Sequence, residues 1–233
     1  MLKFMEKLES TFSQNMDNVM RTMYIQEHLW KFKRGADIAA RVNNELVSLK
    51  GKTVLDIGSG SGGITSGFPP YGAQVIHTDV DKAYMDLAEA AYHDLNLQIP
   101  RIYSMGENIP LKNNSVDIVI MYNILEHLNN ISKTLFEVSR VLKHDGYVLL
   151  RVDYRFDWNN IKKDPHYGLP YVILLPKRLR KILLCNILKK GTVLQDNYWI
   201  KNRNELKQLF DSVGMQLHDF YDLDIIACRM SRS

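Results

Sequence analysis

Apolar residues recur every three or four positions through the first fifty residues, a period that predicts helices. Residues 1–8 form a short amphipathic piece. From 17 to 49 the apolar positions include Met20, Met23, Tyr24, Leu29, Trp30, Ile38, Ala39, Val42, Leu46 and Leu49. Gly35 is expected to break this run in two. The rhythm then changes. Short apolar runs at 53–57, 73–80, 101–105, 116–122 and 147–154 predict strands. Residues 81–95 read as a helix with Leu87, Ala88, Ala91 and Leu95 on one face. A second helix is expected from a cap at Asn129 or Asn130 to about Lys143, ended by Asp145-Gly146. Strands alternating with helices imply a parallel sheet covered on both faces. After an irregular stretch from 155 to 200, a helix is expected at 204–212, closed by Gly214. Two strand-like runs, 215–221 and 223–230, follow too closely for a helical crossover and predict an antiparallel hairpin.

The chemistry concentrates where the first strand ends. Asp56-Ile57-Gly58-Ser59-Gly60-Ser61-Gly62-Gly63 supplies a loop that lets the backbone approach a ligand closely. Gly58, Gly60 and Gly63 also satisfy the dinucleotide spacing G-x-G-x-x-G. Asp79 closes the second strand, where a carboxylate accepts hydrogen bonds from both hydroxyls of a ribose. The bland alternative is a glycine-shaped turn with Asp79 capping the helix that begins near Asp81. Asp56 separates two adenosine ligands. A carboxylate just before the first glycine would sit near a pyrophosphate and repel it, whereas it suits a ligand bearing an ammonium group. S-adenosylmethionine carries an ammonium, a sulfonium and no phosphate, so electrostatics favours it over a nicotinamide dinucleotide.

Composition narrows the class without choosing within it. The 233 residues are 45% apolar and 24% charged, which excludes collagen-like, disordered and disulfide-scaffold chains. A net charge of +4 is too mild to argue for nucleic acid. Cys185 and Cys228 match no metal spacing and read as buried thiols of a reducing compartment, so no metal is expected. The chain starts without the pattern of a secretory signal. The longest apolar stretch, 171–188, is interrupted by Pro176, Lys177, Arg178, Arg180 and Lys181 and is no membrane span. A cytoplasmic protein is expected.

At this point a family resemblance is plain. Val54-Leu55-Asp56-Ile57-Gly58-Ser59-Gly60-Ser61-Gly62 resembles motif I of the class I S-adenosylmethionine-dependent methyltransferases, of the type 11 kind. His77-Thr78-Asp79-Val80-Asp81 is similar to the family's second motif, and Glu107-Asn108-Ile109-Pro110-Leu111 to the segment leading into strand four. Asn123-Ile124-Leu125-Glu126-His127-Leu128 resembles the motif after that strand. The resemblance covers about residues 50–155 and 200–230. It implies an α/β fold with a doubly wound, Rossmann-like seven-stranded sheet and a C-terminal antiparallel hairpin. A helical cap (1–50) would precede a methyltransferase domain (51–233) holding an acceptor-binding insertion at about 155–200. By resemblance, Asp56 serves the cofactor's ammonium group and Gly58 and Gly60 contact its methionine end, with Ser59 beside them. Asp79 holds the ribose next to Val80, Gly106 and Glu107 border the adenine, and Asn123 lines the pocket. The family often has Asp two residues before Glu107. Here Met105 stands there, a thioether that accepts hydrogen bonds poorly, so adenine would rely on the Gly106 backbone and apolar packing.

The insertion carries the acceptor expectation. His166, within Asp164-Pro165-His166-Tyr167-Gly168-Leu169-Pro170, is placed to deprotonate an acceptor hydroxyl, or is simply a surface-turn histidine. His127 is the other candidate base. Residues 176–190 read as an amphipathic helix with Leu179, Ile182, Leu183 and Ile187 on one face. Residues 151–190 hold 10 Lys or Arg against 3 Asp or Glu. Such a surface suits an anionic membrane or a phosphate-bearing acceptor, or is a solvated lid face. The segment is similar to stretches in bacterial methyltransferases of surface-glycan synthesis. The expectation is O-methylation of a glycan or lipid-linked sugar, with possible peripheral membrane contact through about 171–190 and no nucleic-acid partner. Alternatives are methylation of a quinone or other small apolar acceptor, a non-catalytic cofactor-binding protein, and an NAD(P)-dependent oxidoreductase.

Overall fold

In the computed structural model, the described residues are 1–12, 18–152, 154, 158–162, 169–187, 200–220 and 225–230. The chain opens with α1 (Leu2–Phe12) and α2 (Asn18–Arg41), the latter passing into a π-helical turn at Val42–Leu46. There follow β1 (Thr53–Ile57), β2 (Gln74–Asp79), α3 (Lys82–Asp94), β3 (Arg101–Tyr103), β4 (Val116–Tyr122), α4 (Ile131–Val141) and β5 (Leu142–Arg151). Then come α5 (Trp158–Lys162), α6 (Lys177–Lys181), α7 (Arg203–Asp211), β6 (Met215–Phe220) and β7 (Ile225–Met230).

The strands form one sheet in the order β3-β2-β1-β4-β5-β7-β6. The five strands from β1 to β5 pair in parallel, while β7 pairs antiparallel with β5 and β6. From β1 the chain builds outward through β2 and β3, then returns to lay β4 on the other side of β1. Order therefore reverses between β1 and β4, and ligands of open α/β sheets bind outside the carboxyl ends of strands at such a switch point. Near-continuous apolar strands make this possible: Val54, Leu55, Ile118, Val119, Ile120 and Met121 are all sealed from solvent. One cluster packs α1, α2 and α3 on the sheet through Phe4, Leu8, Ile38, Leu87 and Tyr92. The other face packs α4 and α7 through Leu135, Val138, Leu206 and Phe210.

Caps fix several boundaries. Asp81 accepts from the Ala83 N–H at the start of α3, Asn130 from Lys133 at α4, and Asn202 from Glu205 at α7.

Three expectations are corrected. Gly35 does not divide the N-terminal run; α2 continues through it, for a packing reason given below. The helix expected to reach Lys143 stops at Val141, because Leu142 is already extended and pairs with Val116. The amphipathic helix at 176–190 is a five-residue helix followed by a π-helical turn at Ile182–Ile187. Arg180 and Leu184 are buried, while Leu179 and Ile182 are exposed. Residues 188–190 lie outside the described residues, as do 163–168 with His166, and the side chains of Cys185 and Cys228. Among the described residues, no helix is long and apolar enough to cross a membrane.

Candidate functional site

A cavity of about 320 Å³ opens over the carboxyl ends of β1, β2 and β4. Asp56, Gly58, Ser59, Gly60, Asp79, Val80, Asn123 and His127, all singled out in the sequence, line it together. Three segments, from Asp56 to His127, meet there because three parallel strands end side by side.

The loop is held by its own polar groups. Ser59 donates its N–H to the Thr78 carbonyl (3.0 Å) and its hydroxyl to the Asp56 carbonyl (2.7 Å), which pins the loop to both strands. Asp79 accepts the Gly60 N–H on Oδ2 and the Asp81 N–H on Oδ1, each at 2.8 Å. Each carboxylate oxygen keeps a second lone pair for a ligand hydroxyl. Burial raises the Asp79 pKa, opposed by these backbone donors.

Asp56 lies beneath the loop, 1% exposed. Its Oδ2 accepts from the Thr65 hydroxyl at 2.5 Å. Burial pushes its pKa up to about 7, the Thr65 bond opposes this, and the nearby Asp79 adds to it. A carboxylate so placed gains most from a cation brought beside it.

Asn123 follows β4 in a left-handed conformation (φ 52°). Asn is among the side chains that tolerate this region, and such outliers gather at ligand sites. Its N–H donates to the Arg151 carbonyl (3.1 Å). His127 stands in the short turn Leu125–His127, with Nε2 3.9 Å from the buried Glu126 carboxylate.

Gly106 and Glu107 are not among the lining residues. Gly106 is buried where a Cβ would come 2.8 Å from Thr134. Glu107 accepts the Asn130 N–H (3.0 Å). Met105, beside them, is 56% exposed.

Sequence reasoning missed the contribution of α2. His28 and Lys31 line the cavity, with Tyr84 from α3. His28 Nδ1 is 2.9 Å from Ser61 Oγ, and the Tyr24 ring packs edge-on against it. Burial and the neighbouring Lys31 push the His28 pKa down to about 4, so it is a neutral partner of the loop. The contact depends on glycines. A Cβ on Gly35 would stand 2.5 Å from the Gly63 carbonyl oxygen, and one on Gly67 would meet the Gly35 carbonyl at 2.2 Å. Gly35 therefore marks a close backbone approach inside a helix, a signal open to the sequence alone but taken there for a break.

Residues 55–150 match the family model described as a methyltransferase domain. An uncharacterized methyltransferase of Bacillus subtilis, YcgJ, is 29% identical over 143 residues, 61% of this chain and 53% of that protein. The ubiquinone/menaquinone biosynthesis C-methyltransferase UbiE of Burkholderia cenocepacia is 29% identical over 48% of this chain and 47% of its own length. The chain spans about half the length of these relatives. Among solved structures, the YcgJ crystal structure superposes with a TM-score of 0.59 at 21% identity, over 83% of this chain and 71% of that one. A putative S-adenosyl-L-methionine-dependent methyltransferase from Methanococcus maripaludis gives a TM-score of 0.59 at 16% identity, over 99% and 92%.

Proposed function

We propose, from the methyltransferase domain at residues 55–150, that this chain transfers the methyl group of S-adenosylmethionine to an acceptor. One observation carries the choice of cofactor: Asp56 lies buried beneath the glycine loop, where a carboxylate disfavours a dinucleotide's pyrophosphate. Asp79, at the end of β2, accepts the Gly60 N–H and suits the ribose of either ligand, so Asp56 alone separates them. The same two groups suit an ammonium and a ribose diol. Bound S-adenosylmethionine would supply a methyl group on a sulfonium leaving group. Asp56 would hold the ammonium and Asp79 the ribose. The loop backbone of Gly58, Ser59 and Gly60 would set the distance to the sheet edge, and Val80 and Asn123 would flank the cofactor. Positioning of this kind supplies much of the catalysis of an in-line displacement. Gly106 and Glu107 would border the adenine from the segment after β3, with Met105 giving apolar contact.

The acceptor reading is a hydroxyl of a glycan or lipid-linked sugar. Its support is the basic surplus of residues 151–190 in the sequence, which follows β5 where that strand ends at the ligand edge of the sheet. His127 at the cavity, backed by Glu126, would receive the hydroxyl proton as the acceptor oxygen attacks the methyl carbon. His166 is the second candidate for that proton. Likeness to the quinone C-methyltransferases favours a second reading, a small apolar ring methylated at carbon. The exposed Tyr171, Leu174, Leu179 and Ile182, with Arg178 among them, support peripheral contact with an anionic membrane in either case.

Calorimetry with S-adenosylmethionine, S-adenosylhomocysteine and NADH tests the cofactor. Micromolar binding of the first two, lost in Asp79→Asn, is expected. Binding of NADH alone would restore the oxidoreductase reading. No binding by a folded protein would leave a non-catalytic fold. A labelled-methyl screen of lipid-linked sugars, nucleotide sugars and demethylated quinones then separates the acceptors. Pelleting with anionic vesicles, weakened by Ile182→Asp, tests the membrane contact.

A further inference from the structure

Among the described residues one Lys or Arg is buried: Arg180 of α6, at 5% exposure. Its guanidinium carries five N–H donors and a permanent charge. Nε is sealed from solvent and has no hydrogen-bond partner, and no ion pair or hydrogen bond engages this side chain among the described residues. Arginine is almost never buried unless it is paired.

Arg140 shows how the same fold treats a structural arginine. Its Nε and Nη2 hold the two oxygens of Glu137, Nη2 also meets the Ile109 carbonyl, and Nη1 takes the Leu111 carbonyl and the Asn113 side chain, each at 2.7–2.8 Å. That side chain is 25% exposed and still has its donors placed. Arg180 is deeper and has none placed. The sequence offers it no local counter-ion either. Residues 165–195 hold six Lys or Arg and no Asp or Glu, and the nearest acids in the chain are Asp164 and Asp196. Its surroundings are packed, since Leu184 and Val172 are 1% and 3% exposed and the Tyr171 N–H ties the segment to the Ile161 carbonyl at 2.7 Å. Arg178, on the same short helix, is exposed and suits a lipid surface. Arg180 faces inward and suits an anion that enters the protein.

We propose that Arg180 is the anion-binding residue of the acceptor site and takes a phosphate of the methyl acceptor. This rests on the reading above of an acceptor sugar carried on a lipid or a nucleotide, both of which are held through phosphate. The planar fork matches two oxygens of one phosphate at once. Four cations among six consecutive positions, 176–181, favour a diphosphate over a single carboxylate. The unpaired charge weakens the empty fold, and a bound anion relieves it.

The test uses the full chain with labelled arginine and inorganic pyrophosphate as the probe, at constant ionic strength. NMR should show a saturable shift of the Arg180 Nε–H, a resonance assigned by its loss in Arg180→Lys. Calorimetry should show pyrophosphate binding weakened at least tenfold in Arg180→Gln and within twofold of normal in Arg178→Gln. Arg180→Lys should weaken it by less, which covers the case in which Arg180→Gln does not fold. Without pyrophosphate, the Tm of Arg180→Met should equal or exceed that of the unaltered protein, because the variant removes an unpaired buried charge. With nucleotide sugars and short-chain prenyl diphosphate sugars, Arg180→Gln should raise KM tenfold or more and leave kcat near normal, with no effect on a neutral methyl glycoside. Pelleting with phosphatidylglycerol vesicles should be unchanged. An Arg180 resonance unmoved by pyrophosphate, or a lower Tm in Arg180→Met, would assign the residue to packing and overturn the proposal. A loss confined to vesicle binding would assign the phosphate to a lipid headgroup and overturn it too. If pyrophosphate binds at Arg180 and no sugar is methylated, the acceptor reading fails alone, because the anion is read without cofactor or turnover.

Discussion

Asp56 sets the pH behaviour of the site. Its carboxyl titrates at about 7 in the folded chain and near 3.8 unfolded. Between these values the folded state holds a proton that the unfolded state has lost. Stability therefore falls as pH rises from about 4 to about 7 and levels off above. Thermal unfolding across that range should show this slope in the unaltered protein and its reduction in Asp56→Asn. A cationic ligand reverses the balance, because it favours the ionised carboxylate. Binding of S-adenosylmethionine should release a proton near pH 6, tighten as pH rises through about 7, and then level off. Asp56→Asn should weaken binding about tenfold to a hundredfold, the scale of a hydrogen bond to a charged group. Calorimetry in two buffers of different ionisation enthalpy reads both effects. These residues were legible because their chemistry is local: Asp56 and Asp79 each end a strand, and the glycines follow at once. The Thr65 hydroxyl on Asp56 was not, since nothing in the spacing of residues 56 and 65 says that they touch.

Helix α2 and the glycine loop form one structural unit. The helix crosses the loop with Gly35 against Gly63 and Gly67 and with His28 on Ser61. Alanine at position 35 would gain about 1 kcal/mol in helix propensity. The added methyl would push on backbone oxygens that cannot swing aside, a strain of about 1–3 kcal/mol or more. Gly35→Ala should therefore lower Tm despite the better helix former. It should also weaken S-adenosylmethionine binding, because the loop must shift. His28→Ala keeps the helix and removes the Ser61 partner. The expected cost is about 1 kcal/mol in stability, with a several-fold loss of affinity measured by calorimetry. A glycine at this spacing has two meanings, a break or a close approach, and only the neighbour across the gap tells them apart.

At the scale of the molecule, the N-terminal helices and the sheet share one core. Phe4 and Leu8 of α1 are sealed in the same cluster as Val54, Ile118 and Ile120 of the central strands. Phe4→Ala should cost about 3–5 kcal/mol. Unfolding should remain a single transition in calorimetry and circular dichroism, with no early loss of helix. An early step would mean that residues 1–50 melt independently. The proposed membrane contact belongs to this scale as well, since it depends on which side of α6 faces out.

The sequence by itself determined the order of strands and helices, the glycine loop between two acids, and the motif after β4. Each is written in neighbouring residues, through alternation, helical period or turn chemistry. It weighed the class of ligand as far as charge decides it, because a carboxylate before the first glycine disfavours a pyrophosphate. Tertiary structure alone decided that α2 walls the cavity, that Gly35 is a contact, and that Leu179 and Ile182 face outward. It alone brought the Thr65 hydroxyl to Asp56 and the Tyr92 hydroxyl to His77. These are contacts between elements. Packing and burial select them, and no local period encodes them.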